Sequence, residues 1–534
     1  GKVLNGLLGT KDHFGSFQTL GEIHIDDTGF PAIVPESIWT NYDNNAGSSQ
    51  VIKSAFDGST STKWFAEKHD GRTFPVDITW EYTKAPDIHG YTLGSGNDMP
   101  VRDPKSWTLY ASKDGQTYDA IDSQSGKFWT DDERNTRNYF KLSITALQGT
   151  GQKPQLSVIE LDLGTQDYQN YTRTLDIDDA IQYITYTSGG TDYRREYFMS
   201  YPDKVMVIHL SADKPFSRRI SVACPHSDYD ITVNADGQIV LTGWPTPVSN
   251  VRKRENDNWK DFLRFAQVLG VHSHTGGTVS VASDGKSIQA DDVTDLVLVM
   301  SAATNYKPCY DATFDYIDRT VDPTAKAKTA VDAAAGKDLA SLRTAHLDDY
   351  HALYQANRIQ LGKSVTEPTA TTDKLLEALR DGNPSDNDKR YLETLYYQYG
   401  RYLLIASSRP GSLPANLQGV WCEKTAGAWN SDYHTNINVQ MNYWPAEQTN
   451  LSECHLPMID FVNQVAPHGV ATAQHYHSKP DGGDVRGWTT YHEVNAWGNT
   501  APAANGTHSY FPEGGLWICQ DIWEHYLFTQ DTEF

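Results

Sequence analysis

Alternating or continuously apolar runs with the period of a strand recur through the first three hundred or so positions of the chain. The stretch from Phe17 to Ile25 alternates. Further runs lie at Tyr171–Asp178, Ile181–Tyr186, Lys204–Leu210, Ile239–Thr242, Thr278–Val281 and Leu296–Met300. Gly, Asn and Asp turns separate them, which predicts a large antiparallel β-sandwich. Pro31 and Pro35 interrupt the first run. From Ser37 to Gly164 the composition changes to dense turn residues and short strands with almost no helical period. That segment reads as a second β domain inserted between two strands of the first. From Pro323 the period becomes helical: Leu339, Leu342, Leu347 and Leu353 recur at roughly helical spacing within an Ala- and Lys-rich stretch. A polar linker follows at Glu367–Thr372. Tyr391–Leu403 and Asp521–Phe528 are amphipathic helices. The expected domains are therefore 1–36 with 165–322 (β-sandwich), 37–164 (insert), 323–372 (helical linker) and 373–534 (an all-helical region).

Charge and composition narrow the function. The net charge of -23 repels phosphate backbones and argues against nucleic acid. No apolar run reaches the twenty or so residues of a membrane helix. The mean hydropathy of -0.56 fits a surface-polar protein. Cys224, Cys309, Cys422, Cys454 and Cys519 are scattered without a CxxC pair, so neither a zinc cluster nor a dense disulfide framework is expected. His468, His475 and His477 have no carboxylate at ligand spacing, and no metal site is expected from them. The chain starts at Gly1 without an initiator Met and stops at Phe534 just after an Asp-containing turn, so both ends read as cuts within a longer protein. A removed signal peptide is compatible with that, and a secreted, periplasmic or cell-surface location is expected.

The densest chemistry lies between Ser407 and Glu447. Asn416, Gln418, Asn430, Asn436, Asn438, Gln440 and Asn442 stand among Trp421, Trp429, Tyr433, Tyr443 and Trp444. Flat amides suit the hydroxyls of a sugar and flat rings suit its C–H faces. Burying so many amides is costly without partners, and a polyol is the simplest partner.

The words that carry this pattern also carry a resemblance. They run from Gln398 to Gly411, from Leu413 to Trp421, from Ser431 to Glu447, from Thr449 to His455 and from Trp523 to Leu527, and in that order they resemble glycoside hydrolase family 95, the inverting α-L-fucosidases. Phe17–Glu22 and Tyr171–Asp178 look like consecutive pieces of that family's N-terminal domain. The resemblance implies a β-sandwich followed by an (α/α)6 barrel, of which only the first part is present here. The insert, through Ala55–Trp64 and Gly94–Ser112, resembles a discoidin-like (coagulation factor C-type) domain, often a carbohydrate-binding module. Such modules can hold a structural Ca2+, for which Asp57 or Asp98 offers an oxygen; turn formation is the other reading of both. No other cofactor is implied.

Inverting hydrolysis needs an acid for the leaving oxygen and a base for the attacking water. The resemblance gives the water to the Asn-x-Asn pair, Asn436 and Asn438. An amide is too weak a base to take the proton, so a carboxylate must act through it. The resemblance puts the general acid and the activating Asp beyond Phe534, in a remaining segment of the barrel. Within the chain, Glu493 is the internal candidate, as acid or as substrate contact. It sits in His492-Glu493-Val494-Asn495, where many family members have His-Asn-Thr-Asp. His434 is implied near the far end of the bound L-sugar and favours L-fucose; a hydrogen-bonded core histidine is the alternative. Trp421, Trp429 and Trp488 are candidates for stacking on the sugar, with His492, Glu493 and Asn495 as contacts. Glu447 reads as structural. The expected partner is a fucosylated oligosaccharide or glycan. An α-L-galactosidase of the same family and a non-catalytic glycan-binding protein are the competing readings.

Overall fold

The computed structural model describes residues 20–27, 37–42, 50–56, 62–82, 90–94, 99–123, 139–156, 158–162, 169–245, 263–313, 315–362, 365–422, 425, 427–477, 479–502 and 509–534. Asp57 and Asp98 lie outside them, as do residues 17–19 of the first alternating run.

The alternating runs assemble into one nine-stranded antiparallel sheet, with Glu22–Asp27 pairing along Val205–Ala223. Three strands are very long: Val205–Ala223, Phe265–Val281 and Ile288–Thr304. Their ladders shift register between Ser211 and Phe216 and between Thr275 and Gly276. Bulges of this kind bend a strand and raise its twist. Period two then sends neighbours to opposite faces. Ile208, Leu210, Leu241, Leu269 and Leu298 pack with Phe216 and Ile220 in one core. Val207, Val240, Val268, Val297 and Val299 pack instead with Ala327, Val331 and Leu342. The expected two-sheet sandwich is thus one continuous sheet whose long strands serve both halves.

That second core takes in the start of the segment expected as a helical linker, 323–372. Its first part is two helices, α1 (Pro323–Ala335) and α2 (Leu339–Tyr354); both pack on the sheet, and Tyr350 and Tyr354 of α2 also enter the core of the helical region. Asp322 caps α1 by accepting from the Thr324 N–H at 3.0 Å, with Pro323 in the first turn. Asp338 caps α2 through the Ser341 N–H at 2.7 Å. Between 37 and 162 the chain forms a five-stranded sheet and two short ladders. Their core, built on Trp64, Trp80 and Phe140, draws among the described residues on those from Ile38 to Ile159. Each such ring contributes roughly 1.5–3 kcal/mol by leaving water.

The helical region follows: α3 (Thr372–Arg380), α4 (Asp386–Ser407), α5 (Asn438–Gln448), α6 (Ser452–Tyr476) and α7 (Gly514–Thr529). The amphipathic run at Tyr391–Leu403 is the middle of α4, which starts earlier because Ser385 and Asp388 form a capping box. Arg401, fully buried in α4, donates to the carbonyls of Tyr354, Asn357, Leu353 and Thr449 and so ties the end of α2 to the end of α5. Tyr433, Tyr443, Met458, Phe461, Val465 and Ile518 join α5, α6 and α7 in one core.

Candidate active site

The Asn pair stands where a short ribbon turns into a helix. Tyr433–His434 pairs antiparallel with Glu493–Val494, placing His434 opposite Glu493. Thr435 to Ile437 make a turn, and Asn438 opens α5. The turn is pinned from behind. The Thr435 N–H donates to the His492 carbonyl at 2.8 Å, its hydroxyl donates to the Tyr491 carbonyl at 2.8 Å, and Gln440 Nε2 donates to the Thr435 carbonyl at 2.6 Å. Asn438 is exposed, at a helix start with no side-chain cap. Asn436 is half-buried, and its Oδ1 has no hydrogen-bond partner among the described residues. Gln440 Oε1, Ser431 Oγ and Asn495 Nδ2 are in the same condition. Buried polar atoms are ordinarily paired, so this concentration marks a place where a ligand or water completes the bonding.

His434 and His492 face each other across the ribbon with ring centroids 4.5 Å apart. His434 Nε2 lies 2.9 Å from Asp432 Oδ1, and that carboxylate is 1% exposed. Glu493 is half-buried, its Oε1 4.0 Å from His492 Nδ1. Asn495 turns its Oδ1 to the Trp497 and Asn499 N–H groups and fixes the loop behind Glu493. Just before Asp432, Trp429, Asn430 and Ser431 all have left-handed backbones, with φ of 46°, 60° and 49°. Each such residue costs about 1–2 kcal/mol. Strain of this kind persists where surrounding structure imposes it, commonly beside a site.

His434, Asn436, Asn438, His492, Glu493 and Asn495 are thus brought to one ribbon and its turn. The other sequence candidates lie elsewhere. The Trp488 ring packs between Gly469 of α6 and Gly515 of α7. Trp429 is 71% exposed on the strained turn, and Trp421 lines a groove toward the sheet. The amide cluster is also partly spent on the chain itself. Asn416 Oδ1 accepts from the Gln418 N–H, Asn442 Nδ2 donates to the Asn416 carbonyl, and Gln418 Nε2 donates to the Ala428 carbonyl. These particular atoms meet backbone groups, while Gln418 Oε1 is buried without a hydrogen-bond partner among the described residues.

Sequence reasoning missed two features at the other end of the same helices. Glu447 at the end of α5 accepts from His455 Nδ1 at 2.7 Å and His525 Nδ1 at 2.6 Å, and from the Ser452 hydroxyl at 2.5 Å. Burial pushes its carboxyl up, but these three donors outweigh burial and hold it below the usual carboxylate range. The trio has metal-ligand composition. Tetrahedral ligands at about 2.0–2.1 Å from zinc lie roughly 3.3 Å apart. The observed separations are those of charge-assisted hydrogen bonds. Only an i,i+8 relation between Glu447 and His455 hinted at it. The second feature is Asp521 of α7, 5% exposed, whose Oδ2 has no hydrogen-bond partner among the described residues. Burial, helped by the charge of Glu524, pushes its carboxyl up to about 7.

Comparison with known proteins accords with this architecture. Residues 338–534 match the glycosyl hydrolase family 95 catalytic domain, and residues 128–309 match the glycosyl hydrolase family 65 N-terminal domain. Alpha-L-fucosidase 2 of Arabidopsis thaliana is 32% identical over 429 residues, covering 74% of this chain and 48% of that protein. A probable alpha-fucosidase A of Aspergillus niger is 30% identical over 404 residues, covering 73% and 48%. The chain therefore spans about half the length of the curated relatives it matches. Among solved structures, CpGH89CBM32-5 from Clostridium perfringens, in complex with GalNAc-β-1,3-galactose, is 18% identical, covers 23% of this chain and 93% of its own, and has a TM-score of 0.20. Through its helical region, the chain belongs to glycosyl hydrolase family 95.

Proposed function

We propose that the protein containing this chain hydrolyses terminal α-L-fucosides of glycans with inversion, and that Asn436 and Asn438 hold the attacking water. The observation that carries the reading is the unpartnered, buried Oδ1 of Asn436 two residues from the exposed amide of Asn438, at a helix start. Two carbonyl oxygens at that spacing accept both hydrogens of one water and aim its lone pair outward. The N-terminus of α5 adds positive potential where hydroxide character develops. His434 and Glu493, on adjacent strands of the ribbon, bound the sugar. The names of the curated relatives supply the substrate class.

The two protons are handled by carboxylates. One draws the water's proton through the amide pair, and the other protonates the leaving oxygen, the two lying roughly 6.5–9.5 Å apart. In this reading both come from the barrel segment implied beyond Phe534, and Glu493 serves as a substrate contact. In the full protein, Asn438→Gly lowers kcat on 4-nitrophenyl α-L-fucoside by about a thousandfold while the melting temperature stays within a few degrees. Near-normal turnover refutes the role. Running the α-L-galactoside alongside separates the two sugars.

A further inference from the structure

A cavity of about 660 Å3 opens between the sheet and the helical region, away from the ribbon that carries the Asn pair. Tyr201, Lys204, Tyr402, Arg409, Val420 and Trp421 are among its walls. A smaller hollow of about 370 Å3 continues it past Tyr201, Arg409 and Val420 to Asn416. Its size falls in the ordinary range of small-ligand sites.

The charges in it are unevenly met. Arg409 is 9% exposed. Its Nη1 and Nη2 grip the Asp349 carboxylate at 2.9 and 2.8 Å, and Nη2 also reaches Glu453 at 3.3 Å. Its Nε is buried without a hydrogen-bond partner among the described residues. Arg409 Cζ stands 4.0 Å from the Tyr201 ring centroid, and Lys204 Nζ stands 3.3 Å from the same centroid. The Tyr201 hydroxyl donates to the Pro410 carbonyl at 2.7 Å, which fixes the ring. Among the described residues the Lys204 ammonium has no carboxylate within ion-pair distance. Burial first, and then the neighbouring Arg409 charge, lower its pKa, and the Asp349 carboxylate offsets them only in part. Trp421, 48% exposed, supplies a flat apolar face on the same groove.

We propose that this groove binds a saccharide bearing a carboxylate, with Trp421 against a sugar face and Lys204 and Arg409 Nε on the carboxylate. A uronic acid has that combination of apolar face and anion. A neutral sugar leaves the two donors unmet, and a small anion leaves the indole unused. The site is separate from the proposed hydrolysis and stands or falls without it.

The test is calorimetric titration of the full protein with trigalacturonate, its methyl ester and acetate. Trigalacturonate binds, and salt weakens it. The methyl ester, which keeps the sugar faces and loses the charge, binds at least about tenfold more weakly, as does acetate. Lys204→Gln and Trp421→Ala each weaken trigalacturonate by about tenfold, Lys204→Arg retains it, and Asn438→Gly leaves it unchanged. Trp421 is exposed, so its variant reports binding even where a Lys204 change perturbs the fold. No heat with trigalacturonate, equal affinity for acid and ester, or wild-type affinity in Trp421→Ala overturns the proposal.

Discussion

A single side chain in this molecule is best understood by asking what its polar atoms do once buried. The amides between Ser407 and Glu447 are identical in the sequence, yet they divide into two sets. Asn416 and Asn442 satisfy a loop, whereas Asn436 keeps an oxygen with no partner among the described residues. The amide-rich pattern was legible, but which amides are free depends on where the backbone of 408–435 runs. Asp521 raises the same question with a carboxyl. Its folded pKa of about 7 lies above the ordinary value of 3.8 because burial disfavours the anion. The folded state therefore holds the proton more tightly than the unfolded state. Stability from this group is greatest below about pH 4 and falls as pH rises to about 7. Asp521→Asn removes that dependence. Relative to wild type it gains stability between pH 5 and pH 8, with roughly 4 kcal/mol as the ceiling. Urea unfolding at the two pH values measures it, and parallel shifts in both proteins refute the assignment.

At the level of elements, the helix α5 links the candidate site to the far side of the helical core. Asn438 sits at its start, and Glu447, at its end, is gripped by α6 and α7. Strand alternation and the α4 period were readable because each is set by local burial. The Glu447 trio was not, since His525 lies 78 positions away and only the packing of α5 on α7 joins them. The two-residue ribbon was not readable either, being too short to show a period. The loop after it depends on Gly498. That residue has φ of 68°, and a Cβ there would stand 2.0 Å from His468 Nδ1 and 2.2 Å from the Tyr316 hydroxyl. Gly498→Ala therefore combines backbone strain with a clash against two buried rings. It should cost about 2–4 kcal/mol and displace the loop holding Glu493 and Asn495. A raised KM on the fucoside together with the lowered melting temperature is the expected pair. An unchanged melting temperature would show that the loop has more room than this.

At the scale of the whole molecule, the sheet and the helical region are joined through α2. The helical period of Leu339, Leu342, Leu347 and Leu353 predicted a helical linker over 323–372 but not what it packs against. The structure seats it through a narrow apolar stripe and a few charges whose partners lie far away in sequence. Glu196 on the sheet is 2% exposed, and Arg343 of α2 reaches it at 2.5 Å. Lys337, just before α2, likewise meets Asp203 of the sheet. The pair adds little net energy, because Glu196 gave up its water to enter it while Arg343 stays 32% exposed. Its loss is asymmetric, however. Arg343→Met leaves the Glu196 carboxylate buried and alone, which costs about 3–5 kcal/mol. Glu196→Gln with Arg343→Met removes both charges and should recover most of that loss. If α2 couples the two regions, the single variant will unfold in two steps, with the sheet melting before the helices, and the double variant will return to one. Calorimetry of the full protein distinguishes these outcomes. A single sharp transition in Arg343→Met, at the wild-type temperature, would mean that the apolar stripe of Ala327, Val331 and Leu342 holds the regions together without the ion pair.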